Sequence, residues 1–467
     1  MTATSPTPTP HAAFEPIDDG LPLKPGATFR GLTIQSLLGK GGMGSVFLAS
    51  HPILRVPLVI KTFRPMDEGD IFKEAHLAAR VSSPHTIAVM DAGFEDGVPF
   101  LVQQHVDGID LGELTRWLMQ ARLDAPVGVV ARIVAQAARG LHAVHQAGVV
   151  HCDVKPPNLF LRGDGSITVG DFGIAIPAIA ERGTSYAGSP YFAAPEQWRD
   201  QPLDRRCDIY GLGASTHFLK RKEPPFPGPE VAKIREAHLH QPYQPPQTSD
   251  PVEAFLYLMI ETMMQKAPDA RPATADIVAR NLQGHHQEPP GFVMESEHCR
   301  RVGNISVTLS VADLPQTKAD VIVNAASRAL TMRKGVANAL REAGGDEIES
   351  QARRFAPISL GDVVWTEAGN LRAKEIAHAA AAAKGAGCLQ RCVLRALFGA
   401  ERRGHETIAF PALGTGVAEL PAERAAQLPL EAIRTFAEFE PRKIRSIEIV
   451  VNNLEVYRCW MDIADSI

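Results

Sequence analysis

Between positions 151 and 173 the chain reads His151-Cys152-Asp153-Val154-Lys155-Pro156-Pro157-Asn158 and, a short way on, Asp171-Phe172-Gly173. A carboxylate able to hold a hydroxyl, a lysine two residues later and two oxygen ligands for a metal stand in the order phosphoryl transfer needs. Each residue alone is weak testimony. The ordered set is what carries meaning.

Such a set must be held by elements on either side. Upstream, Leu38-Gly39-Lys40-Gly41-Gly42-Met43-Gly44-Ser45-Val46 reads as a strand, a glycine turn and a second strand. Gly39, Gly41 and Gly44 give a GxGxxG spacing, which brings backbone N–H groups to phosphate oxygens with no Cβ in the way. Dinucleotide-binding folds share the spacing but continue into a helix. Here Ser45-Val46-Phe47-Leu48 continues as a strand. Val59-Ile60-Lys61 is an apolar strand carrying one lysine. A helical pattern follows over 71–81, with Phe72, Ala75, Ala78 and Ala79 on recurring faces and Glu74 among them.

Downstream come Gly188-Ser189-Pro190-Tyr191-Phe192-Ala193-Ala194-Pro195-Glu196, then Cys207-Asp208-Ile209-Tyr210-Gly211-Leu212-Gly213, then Asp269-Ala270-Arg271-Pro272. Taken with the pieces above, residues 28–284 resemble the eukaryotic-like serine/threonine protein kinases of bacteria. The resemblance implies an α+β bilobal fold that uses ATP and Mg2+ to phosphorylate protein Ser/Thr hydroxyls. By that resemblance Asp153 orients the substrate hydroxyl and accepts its proton, and Lys155 neutralises the γ-phosphate. Asn158 and Asp171 hold magnesium, while Lys61 fixes the α/β-phosphates and pairs with Glu74. Glu68 is the alternative partner, although it precedes the periodic segment. Asp208 is implied to hold the catalytic-loop backbone, and Arg271 to pair with Glu196.

Cys152 departs from the pattern, since the family usually has arginine there. That arginine reads a phosphate on the activation segment through a bidentate contact a thiol cannot make. Activity is therefore expected not to depend strongly on phosphorylation of Thr184, Ser185 or Ser189. Cys152 itself is expected to be a small semi-buried side chain rather than a redox switch, because nothing in the sequence lowers its thiol pKa.

At 467 residues the chain is too long for one such domain and implies a second. A net charge of −5 offers no electrostatic footprint for nucleic acid or an anionic membrane. The six cysteines lack a regular spacing, as in reduced thiols, and no segment approaches 18 uninterrupted apolar residues. A cytoplasmic protein without a membrane span is expected. Cys388 and Cys392 lie four apart on an expected helix, where packing is favoured over zinc binding. Residues 1–27 read as a disordered Pro/Thr-rich tail, and 285–301, with His285 and His286, as a linker.

After the linker, strands alternate with helices in a three-layer α/β/α pattern. Val323-Asn324-Ala325-Ala326, the turn Lys334-Gly335-Val336 and the loop Phe410-Pro411-Ala412-Leu413-Gly414-Thr415-Gly416-Val417 together resemble a macro domain over 302–467. That resemblance implies an ADP-ribose pocket. Asp313 would bond the adenine amino group and Asn324 the distal ribose. Gly335, Val336, Gly414, Thr415, Gly416 and Val417 would line the diphosphate. A solvated loop aspartate is the plainer reading of Asp313. Ser327 and Ala337 stand where the hydrolytic branch has an asparagine and an aspartate, and Ala418 and Glu419 where an aromatic and a glycine are common. A reader of ADP-ribose or ADP-ribosylated protein is therefore expected rather than a hydrolase. Two alternatives stand: a scaffold with a weakly active kinase lobe, and a kinase joined to an ADP-ribosyl hydrolase.

Overall fold

The computed structural model describes residues 23–467 apart from 41–43, 55, 64–78, 96, 172–175, 178–188, 384–385 and 415–419. The first lobe is a six-stranded antiparallel sheet. Its spatial order is Thr28–Phe29, Leu32–Lys40, Gly44–Ser50, Pro57–Phe63, Val98–Gln104 and Val89–Glu95. Alternating side chains such as Leu32 and Ile34 turn inward against Phe47, Ile60 and Phe100, the period-2 burial of a sheet with one wet face.

The second lobe is helical. Val127–Gln146 lies at its centre, with Ile133, Ala137 and Leu141 fully buried. This helix is apolar and long enough to cross a membrane by composition, but most of it is covered by its own lobe. Helices Arg205–Arg221 and Ala275–Gln283 pack on it. The catalytic stretch sits between the lobes, after the short strand Val149–Val150.

The C-terminal sheet has eight strands. In space they run Phe292–Ser296, Cys299–Val302, Ile305–Val311, Ser446–Val451, Thr407–Pro411, Val321–Ala325, Glu375–Ala379 and Val363–Glu367. The middle strands are parallel and the outer ones antiparallel. Val321 and Val323 face one helical layer while Ile322 faces the other, so both faces are covered, as a three-layer α/β/α fold requires. The segment expected as a linker, 285–301, contains Phe292–Ser296, an edge strand of this sheet, and the start of Cys299–Val302, the strand paired beside it.

The two domains share one apolar core, which runs from Leu111 and Leu114 through to Phe398 and Phe436. Helix Leu111–Ala121 of the first domain lies along helix Leu389–Arg403 of the second. Glu113, Trp117 and Gln120 meet Arg395, Phe398 and Arg402. Those spacings put each triplet on one helix face, and the two helices run in the same direction.

Candidate active site and second ligand site

The catalytic loop is held from below by one carboxylate. Asp208 is buried in helix Arg205–Arg221; its Oδ2 accepts from the His151 N–H at 2.9 Å and its Oδ1 from the Cys152 N–H at 2.7 Å. His145 Nε2 lies 2.8 Å from the same Oδ2. Burial works to raise the Asp208 pKa, but these partners win and hold the carboxyl below its usual range. Asp208 can therefore fix two backbone donors as an anion throughout the neutral range.

The backbone at Cys152 is left-handed, with φ 63°, a conformation that costs a non-glycine residue energy unless its surroundings dictate it. Here they do. Asp208 takes the Cys152 N–H, and Gln197 Nε2 donates to its carbonyl at 2.7 Å. His151 Nδ1 accepts from the Asp153 N–H at 3.3 Å while Nε2 faces the Gly170 carbonyl at 2.9 Å. That pattern assigns the ring proton to Nε2.

Asp153, thus positioned, lies 2.7 Å from Lys155 Nζ through Oδ2. Asn158 Nδ2 donates to the Asp153 carbonyl at 2.9 Å and to its Oδ2 at 3.1 Å. With Nδ2 committed to two acceptors, the amide oxygen is turned away from them and is the atom suited to a hard cation. Across the cleft Lys61 forms an ion pair with Asp171. Burial pushes the Asp171 pKa upward, but the Lys61 ammonium outweighs it and the carboxyl stays ionised below its usual range. Glu74, the expected partner of Lys61, and Glu68 lie outside the described residues, as do Gly41, Gly42, Met43, Phe172 and Gly173.

The cleft is about 200 Å³. Leu38, Val46 and Val59 form its apolar roof, and Pro157, Asn158 and Phe160 its floor. Its back is the inter-lobe hinge from Gln103 to Val106, and Arg391 enters from the other domain. Gly39, Lys40, Gly44 and Ser45 belong to the strands beside the glycine turn. Gly44 has to be glycine, since a Cβ there would stand 1.8 Å from the Thr62 carbonyl oxygen. Further down the lobe, Arg271 grips Glu196 with two bonds of 2.6 and 2.8 Å, the bidentate geometry of a strong buried pair.

Cys152 is buried rather than semi-buried, at 5% exposure. The neighbouring Cys207 thiol, hydrogen-bonded to the Cys152 thiol and buried, has its pKa pushed well up, which leaves it little thiolate with which to react. Cys388 and Cys392 are buried too. Burial first raises both pKa values, followed by the Asp107 carboxylate at Cys388 and by the Cys388 thiol and then Asp107 at Cys392.

In the second domain Asn324 is fully buried on its strand, and its Nδ2 lies 3.0 Å from His378 Nδ1. The Thr366 hydroxyl donates to the Glu367 carbonyl at 3.1 Å, so at 2.8 Å it accepts from His378 Nε2. That places the His378 proton on Nε2 and makes Nδ1 the acceptor for Asn324. Burial lowers the His378 pKa to about 4, so the ring stays neutral. Among the described residues the Asn324 Oδ1 is left buried without a partner, a cost that a ligand hydroxyl would relieve.

Gly335 opens helix Gly335–Gly344, with Val336 half-buried beside it. Asp313 is exposed at the head of the short turn Leu314–Gln316. Gly414 adopts φ 91°, while Thr415, Gly416, Val417, Ala418 and Glu419 lie outside the described residues.

Sequence reasoning did not single out Gln197 or His145, which complete the support of the catalytic loop. Nor did it find Arg391, Asp107 or Glu113. Each reads in sequence as an ordinary solvated polar residue.

Two lobes with a catalytic loop at their junction are the architecture of a protein kinase. Residues 32–282 match the family model of the protein kinase domain and residues 323–429 that of the macro domain. The chain belongs to the protein kinase family and carries a macro domain behind its kinase domain. Serine/threonine-protein kinase PknJ of Mycobacterium tuberculosis is 35% identical over 273 residues, covering 54% of this chain and 45% of its own length. Serine/threonine-protein kinase pkn3 of Myxococcus xanthus is 32% identical over 310 residues, covering 61% of this chain and 54% of its own. The chain thus spans about half the length of the curated relatives it matches. Among solved structures, the Mycobacterium tuberculosis PknI kinase domain is 28% identical, with a TM-score of 0.45 over 57% of this chain and 99% of that one.

Proposed function

We propose that this chain is a cytoplasmic, ATP- and Mg2+-dependent serine/threonine protein kinase whose macro domain binds ADP-ribose or ADP-ribosylated protein. The observation that carries the reading is the Asp153 carboxylate, joined to Lys155 Nζ at 2.7 Å and, at 3.1 Å, to Nδ2 of Asn158, which lines the cleft. Asp153 orients the acceptor hydroxyl of a protein substrate and takes its proton late in the transfer. Lys155 offsets the charge of the moving phosphoryl group. With ATP bound, Lys61 would pair with the α/β-phosphates, and Asp171 and Asn158 would hold magnesium. Bound magnesium would neutralise phosphate charge. Residues 38–46 are assigned to the ATP phosphates. The test is phosphate transfer from labelled ATP to a generic Ser/Thr protein substrate; no transfer would leave only a scaffold role.

The phosphate-reading arginine is replaced by buried Cys152, so phosphatase-treated protein should keep most of its initial rate. Loss of nearly all activity on dephosphorylation, measured on the same preparation, would overturn that expectation.

For the macro domain, the orphan Asn324 Oδ1 supports a ribose contact. Gly335, Val336 and Gly414, with Thr415, Gly416 and Val417, are assigned to the diphosphate and Asp313 to the adenine. Ser327 Oγ lies 3.4 Å from Thr331 Oγ1 and Ala337 brings no acid, so binding is favoured over hydrolysis. Calorimetry should show ADP-ribose binding that weakens roughly tenfold in Asn324→Ala, the worth of one hydrogen bond with a buried partner. Release of free ADP-ribose from a modified protein would instead favour the hydrolase.

A further inference from the structure

The nucleotide cleft of the kinase domain is walled in part by the other domain. Arg391 stands in the first turn of helix Leu389–Arg403 and lines the cleft beside the hinge. Its backbone is pinned there, because Asp107, one residue beyond Val106, accepts from the Gln390 N–H at 3.1 Å and the Arg391 N–H at 2.9 Å. A hinge carboxylate therefore caps a helix of the second domain across 284 positions of sequence. Cys388, at the cap position, lies 3.9 Å from His105 Nε2 on the same hinge.

The Arg391 side chain is also fixed. Its stem runs over Gly361, where a Cβ would come within 2.7 Å of Arg391 Cδ. Among the described residues its Nε is buried without a hydrogen-bond partner and the guanidinium forms no close ion pair. A buried, unsatisfied donor is costly, and here it borders an open cleft. Its charge is felt at His105, Asp107 and Asp110, which places it at the hinge end. Lys61 and Asp171 mark the opposite, phosphate end.

We propose that Arg391 of the macro domain is a specificity-determining contact for the nucleotide of the kinase domain, meeting its base and ribose. This rests on the reading of the cleft as an ATP site. A guanidinium presents five donors and no acceptor, and it stacks on flat rings. It therefore suits ring nitrogens and ribose hydroxyl oxygens, and it does so with a residue the kinase domain alone does not possess.

The test uses the full chain. ATP binding is measured by calorimetry, and KM and kcat by phosphate transfer, for wild type, Arg391→Ala and Arg391→Lys. Thermal melts serve as the check on folding. Arg391→Ala should weaken ATP binding about tenfold or more, the scale of a lost charge-assisted contact, with the loss falling on KM rather than kcat. Arg391→Lys, which keeps stem and charge, should recover part of it. Equal affinity and KM in all three proteins would overturn the proposal while leaving the ATP site intact. A wild type that binds no ATP would remove the cleft reading, and this proposal with it. Should Arg391→Ala fail to fold, the Lys variant decides: an unchanged KM counts against the contact and a raised KM for it.

Discussion

Replacing Asp153 by Asn should lower phosphate transfer by about 10²–10⁴-fold, the range for losing a positioned proton acceptor, while ATP still binds. The substitution keeps the shape and removes the charge. Asp153 Oδ2 now faces two donors, Lys155 Nζ at 2.7 Å and Asn158 Nδ2 at 3.1 Å. An amide cannot accept from both and still offer an acceptor to the incoming hydroxyl. Its NH2 would have to face one donor or the substrate, and the arrangement would lose its purpose either way. On the proposed reading Lys61 and the hinge, not Asp153, hold the nucleotide, so affinity for ATP should persist. Single-turnover transfer from labelled ATP, read beside equilibrium ATP binding, separates the two. Equal transfer by both proteins would sink the catalytic assignment.

The second large effect should come from a residue outside the cleft. Arg395→Ala should destabilise the protein by about 3–5 kcal/mol, the cost of leaving a buried charge without its partner. Arg395 donates to both oxygens of Glu113, at 2.8 and 3.1 Å, and to the Gly361 carbonyl at 2.9 Å, and it also pairs with Asp362. The Arg395 and Glu113 side chains are only 15% and 11% exposed, so solvent screens the pair little and the surface-pair discount does not apply. Truncation strands Glu113 in the seam between domains. Removing both charges should cost much less than the sum, so a double-mutant cycle with Glu113→Gln should return a large coupling. Denaturant unfolding measures it. A single-variant loss below about 1 kcal/mol would mean that the seam tolerates an unpaired carboxylate.

What could be read in advance follows a physical rule. Phosphoryl transfer demands particular residue types at short, local spacings, so the stretch from His151 to Asn158 and Asp171 were legible, while the supports Asp208, Glu196 and Arg271 came only with the family resemblance. Strand Ile305–Val311 was legible for the same reason, since its buried and half-buried residues alternate. Strand Phe292–Ser296 was not. It lies at a sheet edge, almost wholly exposed, and without a buried face the alternation that marks a strand never arises. The seam was hidden for a third reason. Glu113 and Arg395 are 282 positions apart, and each looks like a solvated helix residue until the fold brings them together. Arg391 was hidden in the same way, because nothing local announces that a helix start will border another domain's cleft.

One consequence follows from where the macro domain rests. It holds the first lobe through Arg328 on the Gln35 carbonyl and through Leu360 against Leu48. It holds the hinge at Asp107 and the second lobe at Glu113 and at Arg132, which pairs with Glu438. A body fastened on both sides of a pivot acts as a splint. The angle between the lobes is then a property of the pair of domains, and the jaws of this kinase can swing only as far as the splint bends. Helix Leu389–Arg403 meets the hinge at its start, and its first residue, Leu389, also packs within reach of Gly414. A ligand pressing on that glycine loop would lean on the splint where it crosses the pivot.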